Sequence, residues 1–270
     1  MARKMKMKPM RGVAPFLFGI HYTDGEKNLY SPVHIHRECE VYINVSGDVS
    51  FVVENRVYPI LPGSVIITRP YECHHCVYHS DRRYQHYWIL FSCEGNEWML
   101  DLFFKRKAGE GNLLVLPPEE RKELLQICRR MEGGNPRGAE RHSLFFRILT
   151  LLERAEQITP SKNIYPEDIL WALGMIGEHF AEPLTVQQLA ESAHVSVNTM
   201  ERHFRRFLQM TPRTYLQKVR LANSVRLLSQ GSSVTEACTE SGFSDCSSFI
   251  ALFKRTYGAT PLQYQKKLPR

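Results

Sequence analysis

Two rhythms of apolar and polar residues divide the chain. Before about residue 117 the apolar residues fall in short runs rich in Val, Ile, Tyr and Phe: Val41 to Val45, Ser50 to Val53, Val57 to Leu61, Ser64 to Thr68 and Tyr84 to Phe91. Gly, Pro, Asn and Asp bound these runs, with turns expected at Gly47-Asp48, Glu54-Asn55 and Pro62-Gly63. Short, closely spaced strands without a helical period between them predict a small antiparallel barrel or jelly roll over residues 13–118.

After Pro117-Pro118 the period becomes helical. One helix is predicted from Glu119 to about Met131, stopped by Gly133-Gly134-Asn135-Pro136, and a second from about Glu140 to Gln157, with Leu144, Ile148, Leu151 or Leu152 and Ala155 at helical spacing. One apolar stripe packs these helices on the barrel, and a second would join two copies, so 119–158 is the expected dimerisation region. Residues 159–166, with Pro160 and Pro166, read as a linker.

From Glu167 the chain is helical throughout, so the expected architecture is α+β with an all-α C-terminal domain over 167–266. Ile169, Leu173, Ile176 and Phe180 share one face. Thr185 caps Val186 to Ser192, with Gln188 completing a capping box, and Ser196 caps the next helix. On that helix Val197, Met200, Phe204 and Phe207 face inward, while Asn198, Glu201, Arg202 and Arg205 form the opposite stripe. Thr211-Pro212 opens a helix to about Ser229, with Tyr215, Val219, Ala222, Val225 and Leu228 inward, and Gly231 ends it. Val234 to Glu240, the turn Ser241-Gly242-Phe243 and a helix from about Asp245 to Tyr257 complete the series.

Part of this series occurs twice. Phe204-Arg205-Arg206, Thr211-Pro212 and Tyr215 recur 49 residues later as Phe253-Lys254-Arg255, Thr260-Pro261 and Tyr264. Two copies, each a short helix followed by a longer one, read as linked helix-turn-helix modules, because a solenoid needs three or more. The joining helix of about 17 residues spans roughly 25 Å, which with the helix widths sets two reading helices near one DNA turn of about 34 Å.

Charge is consistent with a polyanionic partner, at +7 formally and a pI near 9.0, but the excess is spread over both halves. The local pattern says more: Arg202, Arg205, Arg206, Arg213, Lys218, Arg220 and Arg226 are opposed only by Glu201. Met1 to Gly12 never build an apolar run, so neither a signal peptide nor a membrane anchor is read there and a cytoplasmic location is expected. Seven cysteines, an odd number, fit reduced thiols. Cys73-His74-His75-Cys76 has the look of a zinc cluster but lacks a second pair at finger spacing.

Within the barrel half stands His34-x-His36-x-x-x-Glu40 followed by Gly47, and later Gly63, Pro70 and His74. These residues resemble the cupin family. In its metal-binding members three imidazoles and a carboxylate hold a divalent ion, which would be His34, His36, His74 and Glu40 here and would suit Fe, Mn, Ni or Zn. No other cofactor is expected. The competing reading is that these groups satisfy one another at the mouth of the barrel while the domain binds an organic effector. The mouth is the default pocket, with His34, His36, Glu40, Tyr42, Phe51, His74 and Tyr87 as lining, and Tyr71 and Ile89 as further candidates.

Leu189-Ala190, Ser196, Met200, Arg202, Phe204, Arg220-Leu221-Ala222, Leu227-Leu228, Val234, Gly242-Phe243, Ser247, Phe249, Phe253-Lys254, Gly258, Thr260-Pro261 and Tyr264 resemble the AraC/XylS family of bacterial transcription regulators. The resemblance implies a non-enzymatic DNA-binding regulator acting on double-stranded DNA. It also implies control by a small-molecule effector, a homodimer, and contact with RNA polymerase if the protein activates; no membrane is involved. Base reading would fall to Asn198, Glu201 and Arg202 in the first module and to Cys246, Ser247, Ile250 and Ala251 in the second. Backbone contacts would come from Ser196, Arg205, Arg206, Arg220, Lys254 and Arg255. The alternative from another class is a metal sensor or metalloenzyme tethered to DNA. Two departures stand out: Ile250 and Ala251 give the second helix few hydrogen-bonding groups, and His194 occupies the turn position that glycine fills at Gly242.

Overall fold

The computed structural model describes residues 16–25, 33–80, 83–134, 136–159 and 165–268. The expectations on Met1 to Gly12 and on most of the 159–166 linker fall outside these residues.

The barrel half contains β1 (Phe18–Gly25), β2 (Cys39–Ser46), β3 (Val49–Val53), β4 (Arg56–Ile60), β5 (Ser64–Thr68), β6 (His74–Tyr78) and β7 (Tyr84–Phe91). Then come α1 (Asp101–Phe104), β8 (Leu113–Val115), α2 (Pro118–Gly133), α3 (Gly138–Glu153) and β9 (Glu156–Ile158). Two antiparallel sheets form: six strands in the order β1-β7-β2-β5-β8-β9, and three in the order β4-β3-β6. All five predicted strands are present. β6 escapes prediction because His-His-Cys-Val-Tyr is buried at four of its five positions and so lacks the alternation that marks a strand. The second helix stops at Glu153, not Gln157; residues 156–158 instead pair with β8 at the sheet edge.

Strand alternation sends each sheet's two faces into different cores. Between the sheets lie Tyr42, Phe51, Tyr58, Ile60, Ile66, Tyr78 and Tyr84. The outer face of the larger sheet, with Val41, Ile43, Val65 and Ile89, packs on α2 and α3 through Leu124, Ile127, Ile148 and Leu152. The outer face of the smaller sheet, with Val52, Val57 and Val77, joins the core of the helical domain. At one end Glu72, buried, accepts both Arg106 guanidinium nitrogens (2.7 and 2.5 Å) and the Gly109 amide (2.7 Å), which pins the segment after α1.

The helical domain runs α4 (Glu167–His179), α5 (Val186–Ser192), α6 (Val197–Leu208), α7 (Pro212–Ser229), α8 (Val234–Glu240), α9 (Cys246–Tyr257) and α10 (Pro261–Lys267). The expected caps Thr185, Ser196 and Thr211 each accept a backbone amide of the first turn, and Ser233, Asp245 and Thr260 do the same for α8, α9 and α10. α7 buries more than the predicted face. Leu216, Leu221, Asn223 and Ser224 are covered as well as Tyr215, Val219, Ala222, Val225 and Leu228, because both modules and the smaller sheet surround it.

Candidate nucleic-acid interface and barrel cluster

α6 presents the first reading surface. Met200, Phe204 and Leu208 are buried, which fixes the helix rotation and leaves Asn198, Arg202, Arg205 and Arg206 exposed. Glu201 is half-buried and pairs with Arg205 at 2.9 Å, one turn along the same face. Arg206 lies over the Phe207 ring at 5.2 Å, with its charge free to face solvent. Ser196 is the N-cap and accepts the Thr199 amide at 3.1 Å.

α9 is the counterpart. Phe249 and Phe253 are buried, and Ser247, Ile250, Ala251, Lys254 and Arg255 are exposed. Two site expectations need correction here. Cys246, expected to read bases, is half-buried, packs on the helical core and contacts the Cys238 thiol; the first position of α9 points toward α8. Arg220, expected on the DNA backbone, donates from Nε to the Phe180 carbonyl and from Nη2 to the Glu182 carbonyl, both 2.7 Å, and so ties α7 to the α4–α5 connection. A cleft of about 500 Å³ separates the modules, floored by Leu184, Val186, Leu216 and Phe243 and edged by Arg213 and Asp245.

In the barrel, His34, His36, Glu40 and His74 converge, their ligand atoms all within 4.8 Å of one another. Glu40 stands on β2 between the two sheets, and its Oε2 lies 2.9 Å from His36 Nε2 and 3.1 Å from His74 Nε2. The other edge of each ring also meets an oxygen: His36 Nδ1 lies 3.0 Å from the Glu38 carbonyl and His74 Nδ1 lies 2.7 Å from that of Glu72. A neutral imidazole has one N–H, so it cannot serve two acceptors. Burial pushes the His74 pKa down, but Glu40 and the Glu72 carbonyl reverse this and raise it; burial pushes the Glu40 carboxyl up, and the two imidazoles carry it well below the usual range.

Each of these two rings therefore faces more acceptors than a neutral imidazole can serve, and N–H groups at both edges, or one cation in place of the two Nε2 protons, would satisfy them. Four ligands bound at about 2.1 Å need donors within about 4.2 Å of one another, so closure by roughly half an ångström would fit a metal. The Nδ1–H groups bonded to backbone carbonyls are the usual outer support of ligating histidines. Cys73-His74-His75-Cys76 does not act as a unit, since His74 and Cys76 face the barrel interior while Cys73 and His75 face the helical domain.

The remaining pocket expectations divide by face. Tyr42 and Phe51 lie between the sheets, their rings 4.9 Å apart, in a packed interior. Tyr87 and Ile89 do not line it: β7 turns them toward α2 and α3, because Tyr87 pairs with Ile43 and Ile89 with Val41 on the outer face. Tyr71 packs on the helical domain. Sequence reading misses His86, Asn44 and Thr68. All are buried, and His86 Nδ1, Asn44 Oδ1 and Thr68 Oγ1 find no hydrogen-bond partner among the described residues. Such atoms each cost about 1 to 3 kcal/mol. Burial pushes the His86 pKa down to about 4, so the ring is neutral at pH 7. The polar residues at 42, 44 and 86 alternate on their strands, and only the strand pairing groups them.

A sheet domain able to hold a ligand, joined to two helix-turn-helix modules with exposed polar reading faces, defines a ligand-responsive DNA-binding transcription regulator. Residues 19–149 match the AraC-like ligand binding domain and residues 189–267 match the helix-turn-helix domain model. The chain belongs to the AraC family of transcription regulators. It is 27% identical over 252 residues to the HTH-type transcriptional activator RhaS of Salmonella schwarzengrund, covering 85% of this chain and 86% of that one. The RhaS of Salmonella paratyphi B is equally similar, at 27% over 252 residues. Among solved structures, ToxT of Vibrio cholerae is 14% identical with a TM-score of 0.39, covering 94% of this chain and 99% of that one. A transcriptional regulator of Chromobacterium violaceum is 24% identical with a TM-score of 0.37, covering 38% and 93%. Among the described residues no helix is long and apolar enough to cross a membrane.

Proposed function

We propose that the protein is a cytoplasmic, homodimeric regulator without catalytic activity that reads two successive major grooves, under control of a small molecule bound at the His34, His36, Glu40 and His74 end of the barrel. The carrying observation is that α6 and α9, which precede and follow the 18-residue helix α7 in the chain, expose Asn198, Arg202, Ser247 and Lys254. Arg202 suits guanine O6/N7 and Asn198 suits adenine, while α9 contributes Ser247, apolar contact and backbone charge. Dimerisation is assigned to α2 and α3, and RNA polymerase contact follows if the output is activation, as the name of RhaS states for that relative. Selection of bound sequences from a random pool, followed by footprinting, tests this. Two protected grooves about 34 Å apart are expected. A single protected groove would overturn the tandem reading.

A second reading is favoured by the facing oxygens at both edges of His36 and His74: the effector, or part of it, is a divalent ion. His34, His36, Glu40 and His74 would hold it, and it would supply the positive charge that Glu40 otherwise takes from protons. Metal content of protein purified without chelators, compared with His34→Ala and His74→Ala, decides between them. Near-stoichiometric metal lost in both variants supports the ion; no metal directs the search to organic ligands.

A further inference from the structure

Three of the four cluster residues stand on backbone whose neighbouring side chains are built into the helical domain. In segment 33–36, His34 and His36 turn toward Glu40, while Val33 and Ile35 are buried in the cluster that contains α4, α6 and α7. Residues 73–75 repeat the arrangement, with His74 inside and Cys73 and His75 outside. The segment and the strand are bonded to each other: the His34 amide donates to the His74 carbonyl at 3.1 Å and the His74 amide to the His34 carbonyl at 3.0 Å. The Tyr71 amide donates to the His36 carbonyl at 2.8 Å.

The far side of this wall rests on α7. The His75 ring lies 5.7 Å from the Tyr215 ring, and Ile35, Tyr71 and Cys73 border one narrow gap with Ala222, Asn223 and Arg226. A third tie is the Gln209 side chain at the end of α6, which donates to the Tyr78 carbonyl of β6 at 2.6 Å. In an extended chain alternate side chains share one rigid backbone, and a close-packed interior passes displacement on rather than absorbing it. We infer that residues 33–36 and β6 form a wall shared by the barrel cluster and α7, through which a change at Glu40 alters the placement of the two reading helices and hence DNA affinity.

This inference deepens the reading that the cluster is the effector end. It assigns Ile35 and His75 as positioning residues that touch neither effector nor DNA. Coupling between distant sites typically changes affinity fivefold or more.

The test uses the full chain and its selected DNA site, comparing wild type, Glu40→Gln, Ile35→Ala and the double variant. Glu40→Gln is expected to shift DNA affinity about fivefold or more in the wild-type background, and less than about twofold when Ile35 is Ala. Equal shifts in both backgrounds, or none in either, would overturn the wall. This comparison needs no ion, so it decides the wall whether or not the metal reading holds. Amide hydrogen exchange guards against a variant that folds poorly. In a Glu40→Gln protein that retains wild-type exchange in α2 and α3, altered protection across residues 215–223 supports the wall, and unchanged protection there counts against it.

Discussion

The two helix-turn-helix modules have the same plan and solve its awkward positions differently. At the turn, His194 and Gly242 both take positive φ, +55° and +86°. A side chain at 242 would place its Cβ 2.7 Å from the Phe180 carbonyl oxygen and 2.8 Å from the Ala181 Cα, whereas His194 is exposed to solvent. Module two therefore needs glycine for room as well as for conformation, and module one needs only a residue that tolerates the left-handed region, as His does better than most. The helix C-caps repeat the contrast. Gln209 at φ +57° bonds to the barrel through Tyr78, while Gly258 at +72° has none of the described residues within 4 Å of a would-be Cβ. Module one trades backbone ease for a link to the effector domain; module two is the freer of the two at this end.

The sharpest way to break the comparison is Gly242→Ala. Backbone strain and overlap with Phe180 and Ala181 together should cost about 3 kcal/mol, read as a lower midpoint in urea unfolding of the full chain. A loss below about 1 kcal/mol would mean the α4–α5 connection gives way easily and the contact does not dictate the glycine. On the DNA side, Arg202→Ala should cost about 1 to 3 kcal/mol on the selected site and relax one base position. Ala251→Gly in module two should leave sequence preference within about twofold, since a methyl group can contact little beyond a thymine methyl. Binding titrations across single-base variants of the site check both. A uniform loss for Arg202→Ala on all sequences would make it a phosphate contact.

A gentler probe is His194→Gly. It removes left-handed strain but adds freedom to the unfolded chain, so the net change should be stabilising by no more than about 0.5 kcal/mol, measured by thermal unfolding. Marked destabilisation would show that the His194 side chain contributes contacts of its own.

What the sequence discloses follows the range of the signals. Caps, turns and helix periodicity are local, so Thr185, Ser196 and Thr211, the His194 and Gly242 positions and the inward residues Met200 and Phe204 of α6 are legible in the order of residues alone. The cluster is half legible: the His34-x-His36-x-x-x-Glu40 spacing is local, but its approach to His74 depends on the pairing of residue 34 with 74. Facing is the weak point. Tyr87 reads as a pocket residue because alternation along β7 does not say which sheet face is inward, and Arg220 reads as a DNA contact because nothing in its neighbourhood announces the Phe180 and Glu182 carbonyls some forty residues earlier. The approach of the barrel to α7, where Ala222, Asn223 and Arg226 share a gap with Ile35, Tyr71 and Cys73, is a long-range fact of the same kind.

The smallest expected effect separates the modules by charge alone. In module one the capping groups are Gln188 and Ser196, which do not titrate; in module two their places are taken by Glu236 and Asp245. Asp245 accepts the Ser248 amide at 2.8 Å and that of Ser247 at 3.2 Å, and the Ser248 and Ser247 hydrogen bonds hold its carboxyl below the usual range. The Ser233 amide and hydroxyl do the same for Glu236. A carboxyl whose folded pKa is depressed contributes stability that is full above its unfolded pKa of about 4 and is lost as pH falls through the folded value. Acid should therefore loosen the first turns of α8 and α9 while leaving α5 and α6 protected, a difference visible by amide hydrogen exchange between about pH 5 and 2.5. Replacing both acids by their module-one counterparts, Glu236→Gln and Asp245→Ser, should remove the difference. If α5 and α6 loosen over the same range in the unsubstituted protein, the acid response belongs to the whole domain and not to the caps.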